Sequence, residues 1–253
     1  MPSPSPDLPL LAPGQAFPPV EQAWRAEDGA AGLLAIGCDL SVATLRAAYS
    51  LGIFPWFSAG EPILWWSPDP RMVLAVDAFK IQPSFARTLK KFVRDPRCEI
   101  RVDFDFAATI AACANSPRAG QNGSWILPEM QAAYTDLHRA GWAHSIETWV
   151  DGKLVGGLYC TSIGQAVFGE SMFARASDAS KIALAALVAF CAASGISHID
   201  CQQNTPHLAS LGAAEMPRSA FCQHVALACQ QPAPVWDFHK GILRNLWQTA
   251  EPS

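Results

Sequence analysis

Glu170, Asp200 and Gln202 are the polar residues whose types and spacing most invite chemistry in this chain. Two carboxylates and a primary amide can together donate and accept hydrogen bonds and stabilise charge that develops at a reacting centre. All three fall within VFGESMFARASDASKIALAALVAFCAASGISHIDCQ, residues 167–202. Strand side chains alternate, so a strand over 196–202 places His198, Asp200 and Gln202 on one face and turns Cys201 to the other. Glu170 is expected at the end of the preceding strand, over 165–168. A thiol nucleophile at Cys201 is therefore disfavoured, and His144, His198 and His207 are isolated. No Ser–His–Asp order, glycine-rich phosphate loop or dinucleotide fingerprint is present. By composition alone a structural reading stays ahead, with Glu170 capping a turn and Asp200 pairing with His198 or a buried backbone group.

A helix must stand between those two strands. Ser177 or Asp178 can cap its start, and Gly195 supplies a left-handed stop. Leu184, Leu187, Val188 and Cys191 recur at helical spacing, while Ile182, Ala185, Ala186 and Ala189 make the other faces apolar, so the helix is expected in a core. Upstream, HSIETWV and KLVGGLYCT flank Asp151-Gly152, a strong hairpin signal over 143–161. Gly156-Gly157 follows that turn, which is the wrong context for a phosphate cradle. Further helices are expected over 42–51 behind Ser41, from Pro83, over 106–114, from Pro128 to Gly141, and from Pro217 through Cys229; strands are expected over 71–76 and 100–104. Residues 53–71 are dense in Pro and Trp, and that loop should gather Trp56, Trp65 and Trp66 into a wall. The pattern reads as α+β: a flexible arm over 1–16, a small N-terminal domain over 17–70 and a larger domain over 71–253.

Half of the 253 residues are hydrophobic and 16% are charged, enough for a full core. The net charge of −4 conceals a basic segment over 79–101, with seven Lys or Arg against Asp95 and Glu99. A polyanionic partner at that place, or a solvated helix face, would each explain it. Eight cysteines without a Cys-x-x-Cys pair point to reduced thiols and away from zinc. The start, MPSPSPDLPLLAPG, lacks the basic and apolar regions of a secretory signal, and no apolar run has the length of a membrane helix.

Nine motifs then occur in one order: GIFPWF (52–57), ILWWSPDPR (63–71), GSWI (123–126), HSIETW (144–149), LVGGLYC (154–160), FGESMF (168–173), ASK (179–181), IDCQ (199–202) and HLASLGA (207–213). On these residues the sequence resembles the bacterial leucyl/phenylalanyl-tRNA–protein transferases, from Phe17 to about Trp236. The resemblance implies a small N-terminal domain joined to an acetyltransferase-like (GNAT-like) α+β domain. It implies transfer of Leu or Phe, and to a lesser extent Met, from aminoacyl-tRNA to the N-terminal Lys or Arg of proteins, marking them for N-degron-dependent degradation. It further implies a cytoplasmic, monomeric enzyme without metal or cofactor. Carried over by motif, Asp200 and Gln202 assist peptide-bond formation, and Glu170 meets the acceptor's basic N-terminus. Trp56, Trp125, Met172, Leu184, Leu187, Cys191 and Ile199 bind the amino acid and the 3′-terminal adenosine region. Arg87 and Lys90 are the positions for tRNA backbone contact. Cys38 stands where the family usually has a second Gly. Two other classes remain open: an acyl-CoA-dependent N-acyltransferase, which FARASDASK (173–181) disfavours by lacking Gly, and a non-catalytic binding module.

Overall fold

The computed structural model describes residues 8–116 and 126–248. The chain begins with a small four-stranded sheet built from β1 (Leu10–Leu11), β2 (Leu33–Gly37), β3 (Phe54–Pro55) and β4 (Leu64–Trp66), in the order β1-β2-β4-β3. Leu10 and Leu11 thus pair with Ile36 and Gly37 where the sequence suggested an arm. Helix α1 (Val42–Ser50) joins β2 to β3, and the Ser41 side chain accepts from the Thr44 N–H as its cap. Cys38, at the position expected for Gly, has φ +63°. The Pro- and Trp-rich segment is less irregular than expected, because β3 and β4 lie within it. Its tryptophans do cluster: the Trp56 and Trp66 rings are 5.5 Å apart, and buried Trp65 donates to the Gly37 carbonyl at 2.8 Å.

The larger part contains β5 (Arg71–Ala75), α2 (Pro83–Arg94), β6 (Cys98–Val102), α3 (Phe106–Ala114), α4 (Pro128–Arg139), β7 (Ala143–Val150), β8 (Lys153–Ile163), β9 (Ala166–Ala174), α5 (Ala179–Ala193), β10 (His198–Gln202), α6 (Pro206–Ser210), β11 (Ala214–Met216) and α7 (Arg218–Ala228). Seven strands form one sheet in the order β11-β5-β10-β9-β8-β7-β6. The β7–β8 hairpin turns at Asp151 and Gly152, with φ +49° and +69°, as a two-residue Asp-Gly turn requires. Neighbouring strands run antiparallel except β9 and β10, which are parallel and joined by α5. A parallel pair needs such a crossover.

Alternation along the strands divides the core between the two faces of this sheet. Tyr159, Phe168 and Phe173 face α3, α4 and the small sheet, whereas Leu158, Cys160 and Val167 face α2 and α5. Helix α5 has eleven buried residues, as its apolar circumference foretold. Its start differs from expectation: Asp178 has φ +61° and does not cap the helix with its side chain, but accepts from Lys181 Nζ at 3.2 Å. Packing anchors this end instead. A Cβ on Gly156 would lie 2.4 Å from that of Ala179, and Thr148 Oγ1 donates to the Ala179 carbonyl at 2.9 Å.

Candidate active site

Strands β9 and β10 stay in register only at Val167↔Ile199 and Phe168↔Asp200. Beyond those pairs each strand carries a bulge. Opposite β8, Tyr159 pairs with Ser171 and Cys160 with Gly169, so Glu170 is the extra residue of β9. Opposite β5, Asp200 pairs with Val73 and Gln202 with Met72, so Cys201 is the extra residue of β10. Bulges re-aim side chains, and these two face each other across the diverging strands. The Gln202 Nε2 donates to Glu170 Oε2 at 3.1 Å. Glu170 therefore lies within β9, not at the end of a strand finishing at Phe168. Strict alternation over Asp200 to Gln202, as read from the sequence, does not hold.

The Glu170 carboxyl is sunk between two tyrosines. Tyr134 from α4 donates to its Oε2 at 3.4 Å, and the buried hydroxyls of Tyr134 and Tyr49, the latter from α1, hydrogen-bond to each other. The other oxygen, Oε1, is buried and has no hydrogen-bond partner among the described residues. Burial raises the Glu170 pKa from 4.5 to about 7, partly offset by Tyr49, Gln202 and Tyr134. Burial likewise holds both tyrosines well above their ordinary range, so they remain donors. With its pKa near 7 the carboxyl is only partly ionised at neutral pH, and it would meet a cation in its deprotonated form.

Asp200 has a different environment. Arg71, at the start of β5, donates to Oδ1 through Nε at 2.8 Å and to Oδ2 through Nη2 at 2.6 Å. Both side chains are buried, and breaking such a pair costs about 3–5 kcal/mol. Asp200 is thus paired with Arg71 and with a backbone group, the Gln202 N–H at 2.9 Å, rather than with His198. His198 turns its Nδ1 to Ser197 Oγ at 2.8 Å, and His144 meets Asp103 at 2.7 Å while stacking on Trp236. Cys201 is no better placed as a nucleophile, because burial pushes its thiol up to about 12.

Met172, Leu184, Leu187, Cys191 and Ile199 meet in the apolar cluster on the α5 side, with the last four almost wholly buried. Met172 reaches that face because the bulge at Glu170 reverses the alternation of β9. Trp56 packs against the opposite cluster, and Trp125 lies outside the described residues. Arg87 and Lys90 stand apart on exposed α2, where with Lys91, Arg94 and Asp95 they line a surface cavity of about 450 Å³. No group of three or more His, Cys, Asp or Glu that could hold a metal occurs among the described residues.

Comparison with known proteins decides between the enzyme classes that such a site allows. Residues 73–226 match the model of the leucyl/phenylalanyl-tRNA protein transferase family, and residues 39–69 match that of its N-terminal domain. A leucyl/phenylalanyl-tRNA–protein transferase from Albidiferax ferrireducens is 57% identical over 98% of this chain and 96% of its own. Proteins of the same name from Burkholderia multivorans (54%, over 97% of each chain) and Methylibium petroleiphilum (56%, over 91% of this chain and 88% of its own) are similarly alike. This chain belongs to the leucyl/phenylalanyl-tRNA protein transferase family. Within it, three residues at the site escaped sequence reasoning: Arg71, Tyr49 and Tyr134. Arg71 closes the motif ILWWSPDPR, which was the one available signal for it. The tyrosines sit inside ordinary amphipathic helices and carry no local signal.

Proposed function

We propose that the chain transfers Leu or Phe, and less readily Met, from aminoacyl-tRNA to the N-terminal Lys or Arg of a protein. The α-amine attacks the ester carbonyl carbon, a C–N bond forms, and the C–O bond to the terminal ribose breaks. The proton lost by nitrogen ends on the departing ribose oxygen. The ester is already activated and an α-amine has a pKa of about 8, so alignment and charge stabilisation suffice without a strong base. The observation that carries this reading is the Gln202 amide facing the Glu170 carboxyl at 3.1 Å where parallel strands diverge, in a chain of this family. Gln202 orients the amine. Glu170, as a carboxylate, takes the acceptor's cationic side chain.

The transferred side chain enters between β9 and β10 against Met172, Leu184, Leu187, Cys191 and Ile199, and Trp56 and Trp125 hold the adenosine end. Arg87 and Lys90 follow the tRNA backbone; their exposure on one helix face supports this role. We read residues 17–70 and 71–253 as two domains, the second acetyltransferase-like, which the mixed sheet with its buried α5 crossover supports. The enzyme acts as a cytoplasmic monomer without cofactor, and its product enters N-degron-dependent degradation. Among the described residues no helix is long and apolar enough to cross a membrane.

The donor tests this reading against an acyl-CoA transferase, whose pyrophosphate would need the start of α5. The segment that leads into α5, residues 173–178, has no Gly to cradle one. An Arg-initiated peptide incubated with leucyl-tRNA should gain one leucyl residue by mass spectrometry and gain nothing from an acyl-CoA. Acylation from the CoA ester alone would overturn the proposal.

A further inference from the structure

The Asp200 carboxylate is held by three hydrogen bonds. Arg71 takes both of its oxygens, and Oδ1 also accepts the backbone N–H of Gln202 at 2.9 Å. The guanidinium is itself fixed: its Nη1 donates to the Gly52 carbonyl at 3.1 Å, and its carbon lies 4.7 and 4.6 Å from the ring centres of Phe54 and Phe221. With 2% of its surface exposed, Asp200 has no open edge toward the place where Gln202 and Glu170 meet. What it holds is backbone. Gln202 has φ +61°, a conformation that a non-glycine residue keeps only where its surroundings impose it. The bond from the Gln202 N–H to Asp200 imposes it here, directly after the bulged Cys201. That conformation sends the Gln202 amide to Glu170.

We propose that Arg71 is a positioning residue for acyl transfer, acting through Asp200 to hold Gln202 in its left-handed bulge, and that Asp200 positions Gln202 rather than relaying a proton. The chain of contacts is Gly52 carbonyl, Arg71, Asp200, Gln202 backbone, Gln202 amide. It carries the β3 side of the small sheet into the geometry of the reacting groups. Lysine at position 71 would keep the charge and lose the two-pronged fork, so charge and geometry separate in one variant. Asp200→Asn keeps an acceptor for the Gln202 N–H and removes the carboxylate charge.

This rests on the transferase reading, which product from the unaltered enzyme tests on its own. Arg71→Lys and Asp200→Asn are then assayed with leucyl-tRNA and an Arg-initiated peptide from about pH 6 to about pH 9, with folding checked by circular dichroism. Misplacing a reacting group by about 1 Å costs about 100-fold, so kcat should fall by about that factor in both. KM for either substrate should stay within about twofold, and the shape of the pH profile should not change. Unaltered kcat in Arg71→Lys, or loss of a limb of the pH profile in Asp200→Asn, would overturn the proposal. Should Arg71→Lys fail to fold, Asp200→Asn decides alone: lower kcat with an unchanged profile supports positioning, and a lost limb contradicts it.

Discussion

At the scale of single residues, two carboxylates a short distance apart in the fold have opposite fates. Asp200 is matched by a buried guanidinium, while Glu170 is left with one unmatched oxygen and a pKa raised to about 7. The stability consequence follows from the sign of that shift. In the unfolded chain Glu170 ionises near 4.5, so between there and about 7 the folded state holds a proton that the unfolded state has lost. Its contribution to stability is therefore present below about 4.5, falls as pH rises to about 7 and stays lost above, by at most about 3 kcal/mol. Glu170→Gln removes the titration. Urea unfolding should show the variant gaining on the parent from pH 5 to pH 8; a difference that is flat across this range would rule the shift out. The acceptor KM of Glu170→Gln should rise most, since the cation loses its counter-charge. Residue types marked Glu170, Asp200 and Gln202 as candidates, and the motifs FGESMF and IDCQ gave them their expected roles. Residue types could not point to Arg71, Tyr49 or Tyr134, because their partners lie 129, 85 and 36 residues away along the chain.

At the scale of elements, the site depends on how α5 lies across the sheet. Gly156 lets Ala179 approach β8 closely, and a methyl group there would meet backbone atoms of Ala179 at 2.8 and 3.1 Å. Gly156→Ala must push the start of α5 outward, at a cost of about 1–3 kcal/mol. A domain of this size loses about 2–4 °C in Tm per kcal/mol, so calorimetry should find a clear drop. An unchanged Tm would mean that α5 can shift freely. The sequence made much of this level legible. The α5 circumference, the Asp151-Gly152 hairpin, the Ser41 cap and the Phe106–Ala114 helix all follow from local pattern, because one side chain or one period decides each. The two bulges were not legible. A bulge is a property of register between strands, and neither Gly169-Glu170-Ser171 nor Asp200-Cys201-Gln202 signals one alone. A strand bounded at 168 therefore put Glu170 at its end, and period-two alternation put Gln202 on the wrong footing beside Asp200. Asp178 illustrates the same limit, since its cap chemistry gave way to an ion pair with Lys181 and to helix packing.

At the scale of the whole molecule, the chain separates its tasks in space. Cations gather on the exposed face of α2, the apolar groups expected to receive Leu or Phe lie on α5 and on the strands β9 and β10, and the polar pair sits where those strands diverge. Arg71 links the small sheet to that pair through the Gly52 carbonyl and the Phe54 ring. The central claim is that Glu170 makes the site selective for a cationic N-terminal residue. Its most direct test is transfer of radiolabelled Leu from charged tRNA to peptides that begin with Arg, Lys or Ala and are otherwise identical. Label should appear on the Arg and Lys peptides and be absent from the Ala peptide. Equal labelling of all three, or charged tRNA bound with no peptide labelled, would contradict the account.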